Sequence, residues 1–264
     1  VAIADVGHLA SQNDKVPGTS FNVTTEGELA AGNVGVLIIG KDNISTVDGN
    51  TAEVTSVTDS AGNFWVKPAV EAEFCNSQAA AGAGTVVSIW VTKARATLSS
   101  GATITINLSG STTAKAVTGQ VFSVGAGKTL RVSGTPANLA NDGADAGSMT
   151  LSGLANIEHL FVRGGAIEGT FTTYTVSTNY TAMDHTGATT TGGGGGSNIT
   201  TRGEWRILTG TTDSTDPTTA ANDQSSVMLA LSEVDDPAAG RDDQEDWDDD
   251  IAQLDQPVFC IAAD

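Results

Sequence analysis

The chain is poor in most of the features that announce a chemistry or a compartment. It has no run of 18 apolar residues, so no stretch has the length of a membrane-crossing helix. Its 12 Lys and Arg face 31 Asp and Glu, for a net charge of −19. That imbalance repels phosphate and excludes nucleic acid and anionic membranes as partners, while suiting a particle surface or a salty medium. Cysteine occurs only at Cys75 and Cys260, which read as two independent buried thiols, with pairing left open. The first residues lack a basic-then-apolar leader; a start at Val1 fits loss of an initiator Met or of a leader already removed.

Catalytic and cofactor motifs are lacking too. His8, His159 and His185 have no H-x-x-x-H or C-x-x-C neighbours, and no G-x-S-x-G elbow offers a nucleophile. Gly125-Ala126-Gly127-Lys128-Thr129 ends like a phosphate-binding loop, but Phe122 stands where the first glycine belongs. LRVSGTP follows where a helix would be needed, so the motif reads as a hairpin turn. Oxygen-rich groups occur at Asn141, Asp142 and Asp145, at Asp213 and Asp216, and at Asp242, Asp243, Asp246 and Asp248 to Asp250. None has EF-hand spacing, and a charge run is ordinarily a solvated face. The expectation is a non-enzyme with no cofactor and no metal site.

What the chain does have is 31 Gly, 36 Thr and 21 Ser, a composition of strands and turns. The segment Val1 to Pro17 reads as an arm or a first edge segment. Ser20 to Thr25 alternates, and Asn33 to Gly40 (NVGVLIIG) is nearly continuous in apolar residues, as in a strand covered on both faces. In Val54 to Val66 (VTSVTDSAGNFWV) two strand-like runs flank Asp59 to Asn63, where Asp59 caps the turn and Gly62 supplies a positive φ. Phe64 and Val66 take one face and Trp65 the other. Pro68 to Cys75 reads as a short strand.

Thr85 to Lys93 puts Val87, Ile89 and Val91 opposite Trp90. Ala102 to Ser109 puts Ile104, Ile106 and Leu108 inward and Thr103, Thr105 and Asn107 outward. Further strands fall in Ala114 to Val124, Thr129 to Ser133, Met149 to Leu151, Asn156 to Gly164, Phe171 to Thr181, Ile199 to Leu208 and Ser225 to Val234. Gly134 to Ser148 reads as a polar loop, and the glycines Gly192 to Gly196 as a mobile tip.

This spacing predicts an all-β fold, an antiparallel β-sandwich of jelly-roll or Ig-like type. Residues 1–19 form an N-terminal arm, 20–234 the sandwich, and 235–264 an acidic C-terminal extension. From Asp235 to Asp250 nine of sixteen residues are acidic, opposed only by Arg241. The end turns apolar at Ile251, Leu254, Val258, Phe259 and Ile261, which become the candidate interaction residues because such a tail must pack somewhere.

Three groups of residues together carry a family resemblance. They are Glu28-Leu29-Ala30-Ala31-Gly32-Asn33 leading into VGVLIIG, the hairpin SVTDSAGNFWV, and TVVSIWVTKA followed by ATITINLSG. Their pattern resembles a β-sandwich domain of tailed-virus structural proteins, with Ser225 to Val234 resembling its last strand. Asn33 replaces the usual acid there, and the acidic tail is an addition. The resemblance implies a non-enzymatic role on the external surface of a virion, as capsid decoration, turret or tail component. Its implied partners are further copies of itself, a trimer being favoured on symmetry grounds, and other virion proteins such as the major capsid protein.

Two other readings share the composition. One is a carbohydrate-binding or adhesive module that stacks a host-surface glycan on Trp65, Trp90, Tyr174, Tyr180 or Trp205. The other is an acidic, S-layer-like cell-surface protein of a halophile. For that protein the five sequons at Asn22, Asn43, Asn107, Asn179 and Asn198 would matter, although about three are expected by chance.

Overall fold

The computed structural model describes residues 2–42, 48–77, 84–170, 173–192 and 197–237. The first half contributes β1 (Ala4–Asp14), β2 (Gly18–Thr24), β3 (Val34–Asp42), β4 (Val54–Asp59) and β5 (Trp65–Val66). It continues with β6 (Glu73–Ser77), β7 (Gly84–Lys93), β8 (Thr103–Thr112) and β9 (Lys115–Ser123). The second half contributes β10 (Lys128–Val132), β11 (Ala137–Ala144), β12 (Met149–Leu151), β13 (Ile157–Glu168) and β14 (Tyr174–Thr175). It ends with β15 (Thr181–Ala182), β16 (Ile199–Gly210), β17 (Asp213–Thr215), β18 (Thr218–Thr219) and β19 (Asn222–Asp235). All pairings between these strands are antiparallel. The protein is all-β, with the sheets stacked as sandwiches.

A central sheet, ordered β1-β9-β3-β7-β5 with β6 also along β7, is covered on both faces. One face meets the small sheet β2-β8-β4, and the other meets β10-β19-β13-β16-β15, in which β11 also pairs with β19. The alternation of β3 explains this placement. Leu37 and Ile39 enter a core with Trp65, Trp90, Ile104 and Ile106. Val36 and Ile38 enter a second core with Val87, Leu160, Val162 and Leu229. A strand with two buried faces has no polar face, which is why VGVLIIG, Val34 to Gly40, is apolar throughout. Beyond the third sheet, Phe161 and Met228 pack on Met149 and Leu151, forming a third core under the β12–β17 ribbon.

The hairpin at Asp59 switches sheets. Its first arm, β4, pairs with β8 of the small sheet, while β5 pairs with β7 of the central one. Asp59 holds this crossing: Oδ1 accepts the amides of Ala61 (2.9 Å) and Asn63 (3.0 Å), and Oδ2 accepts the Trp65 indole N–H (2.9 Å). Gly62 takes φ +77°, and Trp65 is buried while Phe64 faces out. Asn63 Oδ1 accepts the amides of Arg95 and Ala96, tying the turn to the segment after β7.

Several expectations change. Residues 4–14, read as an arm or a first edge segment, are the latter: they form the edge strand β1, paired along β9, so the arm expected over 1–19 is strand from Ala4. Alternate apolar residues such as Leu9 supply the buried face that holds them there. Pro68 to Cys75 divides into a 3-10 turn, Val70–Ala72, and β6. Residues 137–144, read as loop, form β11, because the backbone amides of a polar segment can complete an open edge of β19 as well as an apolar strand can. In the stretch 173–181, only Tyr174–Thr175 and the start of β15 are strand, and Asn179 breaks the run at φ +68°. Residues 193–196 of the glycine run lie outside the described residues.

Candidate functional site

Among the described residues, no group of three or more His, Cys, Asp or Glu could hold a metal ion. The three histidines stand apart. His8 Nε2 lies 2.9 Å from Glu26 Oε2, and fully buried His159 bonds the Ala155 carbonyl (2.9 Å) and meets Phe161 edge-on. His185 bonds the Met183 carbonyl, and burial beside Arg202 holds its imidazole below its ordinary pKa. The loop acids serve as turn and ion-pair groups. Asp145 Oδ1 accepts the Gly147 amide, and Asp213 binds Arg206 and the Tyr180 hydroxyl, each at 2.9 Å. Gly125 to Thr129 forms the turn between β9 and β10, closed by the Lys128 amide on the Gly125 carbonyl (3.0 Å).

The aromatic candidates for sugar stacking are turned inward. Trp65, Trp90 and Tyr180 are buried, and Tyr174 and Trp205 are half-buried, with Trp205 edge-on to Phe122 at 5.3 Å. Phe64, 60% exposed, is the exposed aromatic among the described residues.

Charge is concentrated in three places. At one end of the first core, Lys41 and Glu53, both fully buried, pair at 2.5 Å, and Asn50 donates to the other Glu53 oxygen (3.2 Å). Glu73 accepts the Glu53 and Val54 amides and the Ser88 hydroxyl, which in turn accepts the Trp90 indole N–H. Burial lowers the Lys41 pKa against the pull of Glu53, and pushes the Cys75 thiol up to about 12, so that thiol is inert at neutral pH. Outside the third sheet, buried Arg163 donates to the Ala146 and Gly147 carbonyls and to the Thr215 and Ser226 hydroxyls. Glu204 nearby accepts Ser177 twice. Both groups are closed by protein partners and hold layers together.

The third place is open. A groove of about 410 Å³ runs between the turn before β3 (Gly32) and the turn before β10 (Gly125 and Gly127). Lys93 and Arg95, just after β7, and Asp236, just after β19, complete its walls. The Asp236 carboxylate, buried, binds the Arg95 guanidinium at 2.8 Å, and its amide donates to the Gly127 carbonyl (2.9 Å). Lys93 donates to the Lys128 carbonyl (2.6 Å), and Lys128 pairs with Asp235 at 2.5 Å. Burial lowers the Lys93 pKa, Asp236 and Glu233 raise it, and Arg95 lowers it further. In this acidic chain the groove wall therefore carries two cations against one carboxylate. The described residues end at Pro237, beside this groove.

The expected interaction residues Ile251, Leu254, Val258, Phe259 and Ile261 lie outside the described residues, as do Asp242 to Asp250 and Cys260. Sequence reasoning missed the groove because Gly32, Lys93, Gly127 and Asp236 come together only through sheet pairing. The available signal was Lys93-Ala94-Arg95, two of only 12 cations placed two residues apart. Comparison of the chain with family models, with curated proteins and with solved structures found no match.

Proposed function

We propose that the protein is a non-enzymatic structural component that works by self-association and docking on a larger particle, with the segment after Pro237 as its docking element. The observation that carries this reading is the anchored root of that segment. Asp235 pairs with Lys128 and buried Asp236 with Arg95, so the last described residues before the acidic segment are held against the sheets. An apolar end on a tethered chain needs cover, and another subunit supplies it. The charge of −19 keeps free subunits apart until such a specific contact forms.

The resemblance in the hairpin and strand motifs supports a virion as the particle, with this chain as decoration, turret or tail component on its outer surface and a trimer as the favoured form. The adhesive alternative loses support from the inward placement of Trp65, Trp90 and Tyr180. Light scattering on the full chain carrying Ile251→Asp, Val258→Asp and Phe259→Asp tests the role of the tail. The expected change is from an oligomer, three times 26.7 kDa or about 80 kDa for a trimer, to the monomer. An unchanged mass would remove the tail from the assembly contact.

A further inference from the structure

We propose that the groove between Gly32 and Gly127 is the seat of the same chain's acidic run, with carboxylates among Asp242 to Asp250 meeting Lys93 and Arg95. This deepens the docking reading, on which it rests for the purpose of the tail, by assigning the run a partner within its own chain.

Three observations converge. The groove is roomy, about 410 Å³, and its lining charge is positive by one in a chain of net charge −19. Its first acidic occupant is already in place: Asp236 is buried against Arg95 at 2.8 Å, with its backbone bonded to Gly127. Lys93 is half-buried and donates to the Lys128 carbonyl (2.6 Å), with no carboxylate paired to it among the described residues, so burial lowers its pKa even though Asp236 and Glu233 raise it.

Reach and tethering favour the chain's own run over a second copy's. Asp242 is six residue steps from Asp236, a span of up to about 20 Å. The linker Pro237-Ala-Ala-Gly240 contains both turn-forming residue types, which lets it double back. A run attached at the groove's rim meets it at an effective concentration on the order of millimolar, without the repulsion between two polyanions. Pairing part of the run there would bring the apolar residues from Ile251 onward near the groove.

The test uses the full chain. Zero-length carbodiimide coupling joins a lysine to a carboxylate it touches, and the Lys128–Asp235 pair at 2.5 Å is the internal control. The expected product joins Lys93 to a residue among Asp242 to Asp250. In a mixture of isotopically light and heavy chains both halves carry the same label. A control link without a Lys93 link, or Lys93 links of mixed label, overturns the proposal. A second readout is trypsin cleavage after Arg241, the one basic residue beyond Asp236. With the run seated, Lys93→Gln with Arg95→Gln accelerates this cut by about tenfold, as does molar salt; an unchanged rate overturns the proposal. Failure here with tail-dependent oligomers retained would leave the docking reading intact, whereas loss of oligomers in the apolar-tail variant alone bears on docking and not on the groove.

Discussion

Replacing Glu53 by Gln removes one charge from the buried Lys41–Glu53 pair and leaves the shape almost unchanged. Both side chains are fully buried and 2.5 Å apart, so the ammonium loses its counter-charge in a place water does not reach. The Asp42 carbonyl still accepts from Lys41, and Glu73 is already engaged by two amides and Ser88. Breaking a buried pair from one side costs about 3–5 kcal/mol, and the isosteric amide places the expected loss near the lower figure, about 3 kcal/mol. With a urea m value of about 3 kcal/mol/M for a chain of this size, the unfolding midpoint falls by roughly 1 M. Removing both charges, as Lys41→Met with Glu53→Leu, returns the midpoint to within about 0.5 M of the parent, because the desolvation penalty disappears with the pair. Equilibrium urea unfolding followed by tryptophan fluorescence reads both variants. A Glu53→Gln loss below about 1 kcal/mol, or a double variant as weak as the single one, would refute the claim that this pair is desolvated.

Other expectations follow from individual contacts. Asp59→Ala removes both turn amide bonds and the Trp65 indole bond, and is expected to cost about 2–4 kcal/mol in urea unfolding, at about 1 kcal/mol per bond. Gly164→Ala would place a methyl 2.7 Å from Ile38 Cγ2 between the central and third sheets, lowering stability by about 1–3 kcal/mol and the melting temperature with it. Glu168, buried and bonded to Asp223, has its carboxyl pKa raised from 4.5 to about 7, by burial first. A raised folded-state pKa gives stability that is complete below pH 4.5 and is lost as pH rises through about 7. Stability should therefore fall across that window by at most about 1.4 kcal/mol per pH unit, and Glu168→Gln should flatten the slope.

Much of the fold was legible because burial writes itself into alternation. Ile104, Ile106 and Leu108 against Thr103, Thr105 and Asn107 gave one face of β8, and Asp59 with Gly62 gave the turn before the structure placed them. Three features were not legible. β11 is polar and is a strand only because β19 offers it an open edge. Lys41 lies near the end of β3 and Glu53 just before β4, yet pairing lets both be fully buried, and nothing local in the sequence shows a partner twelve residues away. The doubly covered central sheet was visible in NVGVLIIG, but the identity of its second cover needed the register of β13 and β19. The groove belongs to the same class: its cations are common residues until the fold sets them beside the last described turn of chain.

The central claim is that this protein serves as a docked structural subunit. Quantitative mass spectrometry of virus particles purified from the source of this chain, with copy number set against the principal shell protein, tests it most directly. The expected result is a fixed symmetry-compatible ratio, in multiples of three per site for the favoured trimer, lost with Ile251→Asp, Val258→Asp and Phe259→Asp. Absence from the particles, or trace copies in no fixed ratio, would contradict it.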